Sequence, residues 1–197
     1  MLTTGGGWQD QVGGVLGGFK RCASAPSLPL RVTSQVLHPS DEALHAINAH
    51  LLLVYTGKTR LARNLLQDVL RRWYTADARI VDNVRSLKAN AEDMEQAVLA
   101  CDVPKMGACL DAYWSQKKKM CDAEPPVVTR ILSKLRPHVY GASLCGAGGG
   151  GFLLLITRRR NARPQVETAL RGEAVSVHDV AIHNEDLRTQ IFEETFV

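Results

Sequence analysis

Tyr140-Gly141-Ala142-Ser143-Leu144-Cys145-Gly146-Ala147-Gly148-Gly149-Gly150-Gly151-Phe152 runs straight into the apolar stretch Leu153-Leu154-Leu155-Ile156. Five of the 16 glycines in the chain fall within the six positions 146–151, and a β-like run follows at once. Glycine permits positive φ and lets backbone approach a ligand closely, at an entropic cost in the folded state. A linker would use that flexibility, but it would not feed directly into a buried strand. Consecutive backbone N–H groups in such a loop can form an anion-binding concavity. The alternative is a tight structural turn, and the residues alone leave both readings open.

Composition narrows what could work beside this loop. The chain has 197 residues, enough for one full-sized domain or for part of a two-domain protein. Its hydrophobic fraction of 45% supports an ordinary globular core. The formal net charge of +4 is mild, and the basic residues are dispersed except at Lys117-Lys118-Lys119 and Arg158-Arg159-Arg160. Both triplets end apolar-periodic segments, where solvated cations are common. With no aromatic platform or known nucleic-acid motif beside them, no nucleic-acid partner is expected. The apolar stretches fall far short of the roughly 20 residues a membrane span needs, so no membrane partner is expected either. The five cysteines, Cys22, Cys101, Cys109, Cys121 and Cys145, form no CxxC pair and no cluster with histidine at ligand spacing. Together with the lack of a signal-peptide h-region, this points to reduced thiols in the cytoplasm and to no metal site.

The first residues hold a second glycine-rich site, Gly5-Gly6-Gly7-Trp8-Gln9-Asp10-Gln11-Val12-Gly13-Gly14. A carboxylate flanked by two amides can accept hydrogen bonds and still face a substrate hydroxyl. Asp10 is therefore a candidate base or orienting group, with an Asx-type turn as the structural alternative. Cys22 to Pro29 reads as loop, and the alternating residues 30–36 read as a half-buried strand. Residues 38–42 read as a turn or the start of a short helix. The continuous apolar run of residues 50–55 reads as a central strand buried on both faces.

Thr56-Gly57-Lys58-Thr59 is no nucleotide P-loop, because that pattern needs glycine at position 52, which is Leu52. What remains is a turn at Gly57 and a helix starting near Thr59, with Leu61, Leu65, Val69 and Trp73 on one apolar face. Lys58 and Arg60 oppose the dipole preference of a helix N-terminus, which hints at a nearby anion, although exposed basic residues are common there. Residues 79–120 read as two helices divided at Asp102-Val103-Pro104. Val84, Leu87, Ala91, Met94, Val98 and Cys101 form one stripe, while Met106, Leu110, Tyr113 and Trp114 form another that is core rather than ligand site. Further helices are expected over 127–135 and 163–170, a strand over 174–182, and a poorly ordered tail from Arg188. The expected fold class is α+β, with strands packed against several helices.

Two motifs together carry a resemblance. Gly-Gly-Gly-Trp-Gln-Asp-Gln at 5–11, followed by Gly-Ala-Gly-Gly-Gly-Gly-Phe at 146–152, resembles the sugar branch of the GHMP kinases. Residues 51–74, 113–118 and 137–152 are most similar to the fucokinases within that superfamily. The resemblance is strong over residues 1–157 and weak beyond. It implies a GHMP-kinase-like fold, with residues 1–36 a remnant of the N-terminal domain, 37–190 the C-terminal domain and 191–197 a tail. The implied activity is ATP-dependent phosphorylation of the anomeric hydroxyl of L-fucose, feeding GDP-fucose salvage, with ATP and Mg²⁺ as cofactors. Asp10 matches the family's active-site aspartate, and Trp8, Gln9 and Gln11 would line the sugar pocket. Gly146, Ala147, Gly148, Gly149, Gly150 and Gly151 match the third family motif, which closes against the phosphate and substrate region. Arg60 is the candidate for a further substrate or phosphate contact.

One departure qualifies the match. The superfamily's main ATP-phosphate loop, Pro-x-x-x-Gly-Leu-x-Ser-Ser, lies upstream of the aspartate, and nothing like it occurs in this sequence. Its Ser/Glu ligands for Mg²⁺ are missing too. The expectation is a C-terminal part of a kinase, with half an active site and poor turnover alone. The alternative is a non-catalytic sugar-binding or regulatory module that keeps the fold. Cys145, within the glycine loop, would make the site sensitive to thiol reagents.

Overall fold

The computed structural model describes residues 7–57, 63–120, 124–146 and 149–189. Its elements run α1 (Gln9–Val15), β1 (Phe19–Ser24), β2 (Val32–Leu37), α2 (Asp41–Asn48), β3 (Leu51–Tyr55), α3 (Arg63–Tyr74) and α4 (Ala78–Leu99). They continue with α5 (Val103–Met120), α6 (Pro126–Leu135), β4 (Val139–Leu144), β5 (Phe152–Thr157), α7 (Arg163–Ala169) and β6 (Ser176–Asp179). The fold is α+β, as expected. Contacts divide it into two units, one of residues 38–181 and one of residues 7–37 with 182–189.

In the first unit the strands form one sheet in the order β4-β5-β3-β6, each neighbour antiparallel. The path from β3 through helices to β4, then β5, α7 and β6, is a split β-α-β-β-α-β arrangement in which α3 to α6 occupy the first crossover. Register explains its core. Leu52 faces Leu155, Val54 faces both Leu153 and Val177, and Ala142 and Leu144 oppose Leu155 and Leu153. Paired residues share a face, so these seven side chains form one apolar surface. It is covered by Val128, Ile131 and Leu135 of α6 and by Val166 and Leu170, spaced by three and four as a helical stripe requires. Each fully buried Leu, Ile or Val contributes on the order of 1.5–3 kcal/mol.

The expected strand over 50–55 is the internal strand β3, but it is not buried evenly. Leu52 and Val54 are buried, whereas Leu53 and Tyr55 on the opposite face are half-buried. That face is covered only in part. Next to β4, α5 approaches so closely that Gly107 and Gly141 are in backbone contact. A Cβ added at Gly141 would lie 1.8 Å from the Gly107 carbonyl oxygen.

Local chemistry marks the helix ends. The Ser40 hydroxyl accepts the Ala43 N–H at 3.1 Å and caps α2. Asp77 caps α4 by accepting the Arg79 N–H at 3.0 Å, and the Asp102 carboxylate accepts the Lys105 N–H at 3.0 Å at the start of α5. Cys101, at φ 52°, is the left-handed link that stops α4, so it does not extend the helical stripe. The α4–α5 pair is also tied by polar contacts that hydrophobic periodicity does not signal. Asn83 donates to the Gln116 carbonyl and Asn90 to the Cys109 carbonyl, both at 2.9 Å. The apolar face expected on α3 is open at its C-terminal end, with Leu70 44%, Trp73 46% and Tyr74 85% exposed. Periodicity says which residues share a face; it does not say that anything packs there.

In the second unit, β1 and β2 form an antiparallel hairpin in the register Phe19 to Leu37 through Ser24 to Val32. The strand β1 takes up Cys22 to Ser24 of the loop expected over 22–29, and residues 25–29 are loop as expected. Its partner β2 is exposed along most of its length rather than half-buried. The segment following Ile182 binds back: His183 accepts the Gly18 N–H at 2.6 Å, Asp186 accepts the Gly17 N–H at 2.8 Å, and Leu187 donates to Val15 at 2.9 Å. The tail expected from Arg188 lies mostly outside the described residues.

Candidate active site

The glycine run joins β4 to β5 as the connection of an antiparallel hairpin. Its base is closed by the Cys145 N–H donating to the Phe152 carbonyl at 2.8 Å. Gly146, Gly150 and Gly151 have φ of 62°, 138° and 94°, values that L side chains rarely adopt. An added Cβ at Gly146 or Gly151 would meet nothing within 4 Å. Conformation, not crowding, therefore requires glycine at those two positions, and the space beside them stays open.

Two polar anchors hold the loop ends. Thr56, buried at the end of β3, donates both its backbone N–H and its hydroxyl to the Gly151 carbonyl, each at 2.9 Å. On the other side the Lys117 ammonium donates to the Gly146 carbonyl while lying 5.2 Å from the centre of the Tyr113 ring. The Cys145 thiol is pushed above its ordinary value, chiefly by desolvation, with the Leu154 N–H and Lys117 acting in the opposite direction. At neutral pH it is held as the less reactive thiol. Neither anchor stands out in the sequence. Lys117 is one of three consecutive lysines, and Thr56 begins the segment that fails the P-loop pattern.

In the second unit, Trp8 is the N-cap residue of α1, and Gln9, Asp10 and Gln11 form its first turn, all three exposed. Asp10 is helical rather than the centre of an Asx turn. A carboxylate in a first helical turn is favoured by the helix dipole. With its amide nitrogen turned inward, Gln11 donates to the Trp8 and Gly7 carbonyls at 3.2 and 3.0 Å. This ties the motif's backbone together and leaves the Asp10 carboxylate at the surface. Arg60, Ala147 and Gly148 lie outside the described residues. Among the described residues no group of three or more His, Cys, Asp or Glu side chains could hold a metal ion. Nor is any helix among them long and apolar enough to cross a membrane.

The family model for the C-terminal domain of GHMP kinases matches residues 94–176. The chain is 31% identical over 187 residues to a bifunctional fucokinase/GDP-fucose pyrophosphorylase of Arabidopsis thaliana, covering 93% of this chain and 17% of that protein. It is also 31% identical over 181 residues to an L-fucokinase/L-fucose-1-P guanylyltransferase of Bacteroides fragilis, covering 88% of this chain and 18% of that one. This chain therefore spans less than a fifth of the length of these curated relatives. Among solved structures, a putative sugar kinase from Campylobacter jejuni has a TM-score of 0.62 at 22% identity, over 92% of this chain and 50% of that one. A mevalonate kinase from L. major has a TM-score of 0.65 at 15% identity, over 80% and 47%. At those identities the likeness is one of fold.

Proposed function

Because residues 94–176 match the family model for the C-terminal domain of the GHMP kinases, we propose that this chain forms part of the active site of an ATP-dependent sugar 1-kinase of the fucokinase type. The anomeric oxygen of L-fucose attacks the γ-phosphorus of ATP, the bond to the bridging oxygen breaks, and ADP leaves. Asp10 orients that hydroxyl and takes its proton. Trp8, Gln9 and Gln11 contact the sugar, and residues 146–151 shape the phosphate side, with Arg60 as a further contact. Phosphoryl transfer depends mainly on positioning and charge stabilisation, which suits a loop whose two ends are held at Gly146 and Gly151 and open to solvent there.

The observation that carries this reading is the glycine loop itself. It is anchored by Thr56 and Lys117, open at Gly146 and Gly151, and set in a chain whose curated relatives are named for fucokinase activity. ATP and Mg²⁺ belong to the proposal, with the metal ligands supplied from outside the described residues. Residues 1–36 are read as part of the N-terminal domain and 37–190 as the C-terminal domain. Cys22, Cys101, Cys109 and Cys145 are all free, which fits a reducing compartment such as the cytoplasm. The product, fucose 1-phosphate, would enter GDP-fucose salvage.

Coupled-enzyme assay of L-fucose phosphorylation with ATP and Mg²⁺ tests the proposal on this chain, on a longer polypeptide that also carries an upstream phosphate loop, and on that polypeptide with Asp10→Asn. Activity in the longer form that falls about 10²- to 10⁴-fold with Asp10→Asn is the expected result. Unchanged turnover with Asp10→Asn overturns Asp10 as the base. A second reading is a sugar-binding or regulatory module without turnover. Fucose binding with no phosphorylation in either wild-type form would establish it.

A further inference from the structure

Where the glycine loop enters β5, three adjacent strands place a small cluster of rings on the less covered face of the sheet. Phe152 on β5 is the register partner of Tyr55 on β3, and Tyr55 is the partner of Ser176 on β6. Side chains at paired positions share a face, and so do residues two apart along a strand, which brings His178 to the same face. The Tyr55 and Phe152 rings lie 5.3 Å apart and tilted; the Phe152 and His178 rings lie 5.8 Å apart, edge to face. The Ser176 hydroxyl and His178 Nε2 are hydrogen-bonded at 2.8 Å. Phe152 is 40% exposed, and Ser176 and His178 are exposed.

We propose that Tyr55, Phe152 and His178, with Ser176, form a sugar subsite beside the glycine loop, in which the rings receive the apolar C–H face and methyl group of a 6-deoxy sugar while the hydroxyl–imidazole pair hydrogen-bonds its ring hydroxyls. The inference deepens the fucokinase reading and rests on it. Small-molecule sites combine apolar and aromatic walls with a few placed polar groups, and this ledge has both elements. Phe152 is joined directly to Gly151, whose carbonyl is fixed twice by Thr56, so the ledge and the loop are rigidly connected. The residue before Thr56 is Tyr55, so the anchor of the loop exit also positions a ring. An exposed phenylalanine packed against two other rings at a loop mouth has little to gain from solvent, and a ligand's apolar face would remove it from water.

The test is an NMR titration of this chain with L-fucose, with ATP in a separate titration, following the resonances of residues 55, 152, 176 and 178. Fucose should shift all four. Phe152→Ala should weaken fucose binding roughly three- to tenfold, Phe152→Tyr should restore it, and His178→Ala on the exposed edge strand should weaken it similarly. His178→Ala keeps the test decisive if Phe152→Ala does not fold. Fucose shifts confined to residues 8–11, shifts at the ledge caused by ATP instead of fucose, or no shifts at all would each overturn the subsite. The fucokinase reading would still stand or fall on the phosphorylation assay.

Discussion

Gly141→Ala and Gly146→Ala make a paired experiment, because the two glycines are required for different reasons. Gly141 sits in β4 with no left-handed backbone to accommodate, but a Cβ there would lie 1.8 Å from the Gly107 carbonyl oxygen and 2.6 Å from its carbon. An ordinary carbon–oxygen contact exceeds 3 Å, and the obstacle is helix backbone with no rotamer to turn aside. The α5–β4 seam must open, loosening packing around Met106, Leu110 and Trp114, all of them buried. Overpacking of this kind costs about 1–3 kcal/mol, and the rigidity of the obstacle argues for the upper end. For a chain of this size each kcal/mol shifts Tm by about 2–4 °C, so Gly141→Ala should lower it by roughly 6–12 °C. Gly146 presents the converse: φ of 62° and nothing within 4 Å of an added Cβ. Left-handed strain of about 1–2 kcal/mol is offset in part by the lower entropy of the unfolded chain, leaving roughly 1 kcal/mol and a Tm shift of about 2–4 °C. Thermal unfolding followed by circular dichroism measures both. If Gly141→Ala is no more destabilising than Gly146→Ala, the backbone contact between α5 and β4 does not limit the packing.

Three further changes probe single interactions. Ser40→Ala removes the cap of α2 and should cost about 1 kcal/mol in urea unfolding, while Ser40→Asp should retain most of it; equal loss in both would refute the capping role. Asn83 is buried and spans α4 and α5, so Asn83→Ala should cost about 1–3 kcal/mol, and an unchanged unfolding midpoint would show that its bond to Gln116 contributes nothing net. Glu173 has its carboxyl held below the ordinary 4.5 by Lys134 first and then Arg130. Its contribution to stability is therefore present above that value and lost as pH falls through the lowered one. Glu173→Gln should be less stable than wild type at neutral pH, with the difference closing as pH drops below about 4.5; a difference that stays constant with pH would assign the effect to something other than the charge.

Much of the chain was legible as local pattern. The strand expected over 50–55, the helix break at Asp102-Val103-Pro104 and the helix expected over 127–135 follow from an apolar run, periodicity and proline, all of which act within a few residues. The glycine loop was visible as a motif because no other residue type supports repeated positive φ. Other features were not legible, for identifiable reasons. β1 has a sequence without strong alternation, and it is a strand because β2 pairs with it. The apolar stripe of α3 is correct as a pattern yet exposed at Leu70 and Trp73, since covering a face requires a partner element. Asn83 and Asn90 look like ordinary surface residues of a helix until α5 brings carbonyls to them. The sequence by itself determined the α+β class, the two glycine motifs and the aspartate between amides, because these rest on backbone conformational preference and residue chemistry. Only the tertiary structure decided that Thr56 and Lys117 hold the loop, that Gly107 and Gly141 touch, and that Tyr55, Phe152 and His178 share one face. Each of those depends on sheet register and helix packing, which join residues far apart in the chain and leave no local signature.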